Sequence, residues 1–167
     1  LSKNPINSLI TICKKLKEIP LDKGNKHFQP SNLEITGIHV DNKAHNVIPA
    51  RAKTLFNIRY NNFHTSVSLK KIINSVIKSV CKKNKVKFKI EFFNSGDSFL
   101  TRPGTTIQMA KKIIKKITKI NTVFSTTGGT SDARFIKKIA PCLEFGLVNK
   151  TMHKVDECVS LSDLKKL

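Results

Sequence analysis

A change of hydrophobic period along the chain constrains its fold more than any other feature. Apolar residues first recur every three or four positions, at Ile6, Leu9, Ile10, Cys13, Leu16 and Ile19, the spacing of a helix with one buried face. Asn4 suits the N-cap and Pro5 the first helical position, while Pro20 ends the segment. Leu33 and Ile35 then open an alternating run to Val40, which reads as a strand over 33–40. Asp41-Asn42-Lys43 supplies a turn, and 47–60 reads as a second strand carrying Leu55, Phe56 and Ile58. Helical spacing returns at Leu69, Ile72, Ile73, Val76, Ile77 and Val80 after a cap at Ser66 or Ser68, with Lys70, Lys71, Lys78 and Lys82 off the stripe. Strict alternation at Val86, Phe88 and Ile90 predicts a third strand over 86–90. Helix, strand, strand, helix, strand is a ferredoxin-like α+β layer without its first strand.

Past residue 93 the texture changes. Ser95-Gly96-Asp97 and Arg102-Pro103-Gly104 punctuate the chain. Ile107, Ala110, Ile113, Ile114 and Ile117 predict a helix over 106–120. A short strand is expected near Val123, a helix from Ser131 or Asp132, and a buried strand over 142–145.

The formal charge of +20 points at first to nucleic acid or an anionic membrane. Of the 31 basic residues, however, 27 are Lys and only four are Arg, whereas base readout leans on the bidentate guanidinium. Lys, Ile and Asn are in excess together, as AT-rich codons would make them. The lysines are therefore read as solvated helix faces, and neither nucleic acid nor membrane is expected as a partner. No apolar run reaches the length of a membrane span, and a cytoplasmic location is expected. The four cysteines, Cys13, Cys81, Cys142 and Cys158, have no zinc-finger spacing. Lacking an initiator Met, the chain is expected to begin inside a longer protein.

Three places could carry chemistry. Gly128-Gly129-Thr130-Ser131-Asp132 lies between an expected strand and a helix start; it reads either as an anion site for a carboxylate or as a capped helix after a tight turn. His153 could ligate a metal or simply occupy the surface, and no second ligand sits at useful spacing nearby. Arg59, in an otherwise apolar strand, could grip a carboxylate with its planar fork or pair with Glu34 or Glu91.

Taken together, Asn46-Val47-Ile48-Pro49-Ala50, Phe56-Asn57-Ile58-Arg59-Tyr60, Ser95-Gly96-Asp97-Ser98-Phe99-Leu100, Thr127-Gly128-Gly129-Thr130-Ser131-Asp132-Ala133-Arg134-Phe135-Ile136 and Met152-His153-Lys154-Val155-Asp156-Glu157 resemble, in order and spacing, the succinyl-diaminopimelate desuccinylases, zinc-dependent relatives of the aminoacylases. The resemblance implies a lid domain at 1–97 that also forms a homodimer, followed at 98–167 by the C-terminal part of a zinc-peptidase-like α/β catalytic domain. It implies hydrolysis of N-succinyl-LL-2,6-diaminopimelate to succinate and LL-diaminopimelate. Two zinc ions per subunit would serve, with cobalt as an alternative. His153 corresponds to a zinc ligand. Arg59, Ser95, Gly129, Thr130 and Asn149 correspond to substrate contacts, and Asn46 to a lid contact made across the dimer. His45 stands where the family often has a second Asn. The general-base Glu and the remaining ligands would lie upstream of Leu1, so no residue here is assigned as catalytic, and the chain alone is expected to be inactive. The alternatives are a related N-acyl amino acid deacylase of the acetylornithine deacetylase kind, or a non-catalytic dimerisation fragment.

Overall fold

The structure is a computed structural model that describes residues 3–126, 131–148 and 150–167. The chain divides into two compact units, Leu1–Ser98 and Phe99–Leu167. The first contains helix α1 (Pro5–Lys17), strands β1 (Asn32–His39) and β2 (Lys53–Arg59), and helix α2 (Ser66–Asn84). The second contains α3 (Thr105–Thr118), α4 (Ala133–Ile136) and α5 (Leu161–Lys166).

Both long helices begin where their side chains can take up orphan N–H groups. The Asn4 side chain accepts the Ile6 N–H at 2.9 Å, and Pro5 costs nothing at the first position. Thr65 caps α2 in a reciprocal box: its hydroxyl accepts the Ser68 N–H at 3.2 Å while Ser68 Oγ accepts the Thr65 N–H at 3.0 Å. The chain leaves α2 through Lys85 in the left-handed region (φ 52°), and the Val86 N–H turns back to the Cys81 carbonyl at 3.0 Å.

Strands β1 and β2 pair antiparallel, with Leu33 opposite Ile58 and Ile35 opposite Phe56. A bulge between Ile35 and Gly37 shifts the register. Past it, Ile38 stands opposite Thr54, on the helix side of the sheet, and Gly37 opposite Leu55, on the outer side. A side chain at Gly37 would crowd His39 Nε2 at 2.9 Å. Ile12 and Leu16 of α1, Leu33 of β1, and Ile73, Ile77, Val80 and Cys81 of α2 form the buried core, with Phe56 and Ile58 packed against it. A helix-over-sheet α+β layer results.

Only two strands form among the described residues. The segment 86–90, expected as a third, makes no ladder. Its alternation is met only in part: Val86, Ile90 and Phe92 pack on the core and Lys87, Lys89 and Glu91 are exposed, but Phe88, expected on the inner side, is 42% exposed. Alternation reports which side a residue faces; a ladder additionally needs a neighbouring backbone. The second strand is shorter than expected because Asn42 gathers the preceding residues into a loop, its amide donating to the Val47 carbonyl at 2.6 Å. No strand forms near Val123 or over 142–145 either. Val123 is 86% exposed and Phe145 47% exposed, so burial does not hold these segments extended. In the second unit Ile107 and Ala133 are buried, whereas Met109, Ile113 and Ile117 of α3 are half exposed or more.

A carboxylate ties the connections of the first unit together. Asp22 accepts the Gly24 N–H at 2.7 Å, the Ser31 N–H at 3.2 Å and the Asn61 side-chain amide at 2.6 Å. His64 Nε2 lies 3.3 Å from the same carboxylate and 3.1 Å from the Leu21 carbonyl, so this nitrogen carries a hydrogen. The Asp22 side chain is only 8% exposed. Burial by itself would raise its pKa, but the bonds from Ser31, Gly24 and Asn61 outweigh it and hold the group at about 2, below the ordinary 3.8.

A depressed folded-state pKa gives stability that is complete above the unfolded value and disappears as pH falls through the folded one. Unfolding measurements should show about 2 kcal/mol lost between roughly pH 4 and pH 2. Asp22→Asn should be less stable at neutral pH and flatter across that window; an unchanged acid limb would contradict this account.

Candidate functional site

Arg59 is the last residue of β2, opposite Asn32 on the outer face of the sheet, and it is exposed. Both carboxylates that could have neutralised it are engaged elsewhere. Glu34 meets Lys17 Nζ at 2.7 Å and the Asn32 amide at 3.1 Å, and these bonds, Lys17 first, hold its pKa below the ordinary value. Glu91 pairs with Lys89 at 2.6 Å, which lowers its pKa likewise. Among the described residues no carboxylate pairs with Arg59, and its guanidinium fork has the geometry to take an outside carboxylate.

Next to Arg59, Tyr60 reaches from the end of β2 to the 94–97 turn. Its hydroxyl is 2.6 Å from Asp97 Oδ1. Ser95, exposed, lies in that turn, so the structure brings the segment carrying Ser95 to the strand end that carries Arg59.

Asn46 is placed differently. It is exposed in the loop between β1 and β2, beside His45, on an open groove of about 570 Å³ that also involves Asn4 and Ile6 of the helix start. This loop follows His39 and precedes Lys53, at the end of the hairpin away from Arg59. At about 3.3 Å per residue, β2 sets the two ends roughly 20 Å apart. One copy therefore does not bring Asn46 and Arg59 onto a common small ligand.

In the second unit, His153 is exposed in a tight turn. It has φ 60° and Asp156 has φ 59°, left-handed conformations that a non-glycine residue holds at a cost of about 1 kcal/mol. Thr151 closes the turn, donating to the Cys158 carbonyl at 2.7 Å and accepting the Cys158 N–H at 3.2 Å. The His153 N–H points to Glu157 Oε2 at 3.4 Å. Among the described residues no three His, Cys, Asp or Glu side chains converge on a metal position. One imidazole does not fit a dinuclear zinc site by itself, so no reaction step is assigned to a metal here. Gly129, Thr130 and Asn149 lie outside the described residues. Beyond them, Ser131 Oγ accepts the Ala133 N–H at 3.2 Å at the start of α4, while Asp132 makes no side-chain cap.

Reading the sequence did not single out Tyr60, Asp97, Asp22 or His64. A capping pattern could have revealed α5, where Ser160 Oγ accepts the Asp163 N–H at 3.4 Å.

Among known proteins, residues 1–85 match the M20 peptidase dimerisation domain. Nearly the whole chain is similar to proteins named succinyl-diaminopimelate desuccinylase. It is 62% identical to that of Pelagibacter ubique (strain HTCC1062), over 99% of this chain and 43% of the relative. It is 47% identical to that of Rickettsia bellii (strain RML369-C), over 98% and 42%, and 43% identical to that of Paracoccus denitrificans (strain Pd 1222), over 99% and 44%. The chain spans less than half the length of the curated relatives it matches. No helix among the described residues is long and apolar enough to cross a membrane. By the match over its first 85 residues, the chain belongs to the M20 peptidase dimerisation-domain family.

Proposed function

We propose that this chain is part of a succinyl-diaminopimelate desuccinylase, a metal-dependent amide hydrolase that splits N-succinyl-LL-2,6-diaminopimelate into succinate and LL-diaminopimelate. The observation that carries the proposal is the 62% identity to a protein of that name along 99% of the chain. Residues 1–97 would be the ferredoxin-like lid and dimer domain, and 98–167 the returning part of the catalytic domain. In the intact enzyme Arg59, Ser95, Gly129, Thr130 and Asn149 would contact the substrate's carboxylates and amide. His153 would be one of several metal donors, held ready by its closed turn. Bound zinc would supply Lewis-acid polarisation of the amide and a more acidic water; the residues of this chain bind and orient the substrate. The open fork of Arg59 fits a substrate rich in carboxylates, and a cytoplasmic biosynthetic step fits such a substrate.

The separation of Asn46 from Arg59 supports a homodimer in which each lid serves its partner's site. Two halves of one recognition surface lie at opposite ends of the hairpin, and a two-fold axis can bring them together.

Three outcomes are expected. In the intact enzyme, Arg59→Lys should raise KM or lower turnover at least about tenfold, loss of a bidentate pair being worth roughly 1.5–3 kcal/mol; steady-state kinetics on the succinylated substrate, with the acetylated analogue as control, decide it. Equal mixing of Arg59→Lys and Asn46→Ala subunits should restore about a quarter of wild-type activity, because half the dimers would then carry one intact site. Sites built within one subunit would show no recovery. The 167-residue chain alone should give no steady hydrolysis and should bind zinc only as weakly as a lone imidazole does, measured by calorimetry.

A further inference from the structure

We propose that the Tyr60 hydroxyl is a positioning group, latching the 94–97 turn to the N-terminus of α2 and so fixing Ser95 beside the end of β2 that carries Arg59. The role in recognition rests on the reading of Arg59 and Ser95 as substrate contacts; the latch itself rests on geometry alone.

Three oxygens surround the phenol: Asp97 Oδ1 at 2.6 Å, Asn94 Oδ1 at 3.2 Å and the Gly96 carbonyl at 3.4 Å. A phenol has one hydrogen to give. Asn94 Oδ1 already accepts the Gly96 N–H at 3.0 Å, so the short, charge-assisted bond to Asp97 takes it. The same Asp97 oxygen accepts the Ser66 N–H at 3.2 Å, at the first residue of α2. No acidic residue occupies the first turn of that helix. Asp97 supplies, from 31 residues away, the negative group that the positive end of the helix dipole favours. One carboxylate is thus held from two sides, by Tyr60 just past the end of β2 and by the first amide of α2.

The turn between them is built to be compact. Gly96 sits at φ 137°, a conformation side chains rarely adopt, and the Asn94 side chain folds over it. Ser95 lies between Asn94 and Gly96, each of which places an oxygen beside the phenol. With the turn latched, Ser95 and the neighbour of Tyr60, Arg59, keep a fixed relation before any ligand arrives, which removes an ordering cost from binding. Burial, followed by the bond to Asp97 and its charge, pushes the phenol's pKa far above the ordinary tyrosine value.

The test is direct because the chain has one tyrosine and no tryptophan. Ultraviolet titration therefore reads Tyr60 alone, with circular dichroism recorded alongside to confirm the fold. In the wild-type chain the phenol should stay protonated well past pH ~10, and Asp97→Asn should bring its ionisation back toward that ordinary value. In Tyr60→Phe the amides of Ser66 and of 95–98 should exchange at least about tenfold faster, with those of Ile73 and Ile77 unchanged. In the intact enzyme Tyr60→Phe should raise KM about fivefold or more while leaving kcat within about twofold, the split expected when preorganisation for binding is lost. Wild-type exchange rates at 95–98 in Tyr60→Phe, or a phenol in the wild type that titrates near pH ~10, would overturn the latch whatever Arg59→Lys does. Loosened amides with an unaltered KM, in an enzyme that Arg59→Lys impairs, would overturn the positioning role.

Discussion

The carboxylate of Asp22 is the point through which the first unit holds its shape. It lies in the link between α1 and β1, and its partners come from that link and from the connection between β2 and α2. A core of Ile, Leu and Val can pack in many near-equivalent ways; a buried carboxylate with several fixed donors accepts only one. Removing any donor would leave a charge with too few partners in a place water hardly reaches. The apolar contacts supply most of the favourable free energy, and the Asp22 knot selects which arrangement of the two connections they stabilise.

Much of this fold was legible along the sequence, and what was not shares one cause. Asn4-Pro5 marked the start of α1, and the apolar stripe of α2 gave that helix its face. The cap of α2 is Thr65 rather than Ser66 or Ser68; Ser68 is the other half of the capping pair and looks like a cap when taken alone. The run at 86–90 placed Val86 and Ile90 inward but not Phe88, and could not show whether a backbone lay beside it. Arg59 and His153 stood out by residue type and setting. Asp22 with His64, and Tyr60 with Asp97, did not, since their members are separated by 42 and 37 residues and only the fold joins them.

The candidate residues lie on strand ends and loops of their own units rather than in a core. Within the first unit Arg59 stands at one end of the hairpin and Asn46 in the loop at the other; within the second, His153 stands on a closed turn. Rigid elements fix where each side chain starts, and local hydrogen bonds fix the loops that carry them: Asn42 for the 42–47 loop, Thr151 for the His153 turn, Tyr60 for the Ser95 turn. In the first unit, residues set at opposite ends of a hairpin suit contact with another surface better than a pocket closed around one ligand.

The lysines that line α2 away from its buried stripe have a further consequence. With 31 basic residues against 11 acidic ones, and few ion pairs among the described residues, the folded chain sits in its own repulsive field. Counterions relieve that field over a Debye length of about 8 Å at physiological ionic strength. Dissolved salt thus acts as a structural component of this protein. In dilute buffer the chain would be pulled toward any polyanion at hand, nucleic acid included, through neutralisation that involves no recognition.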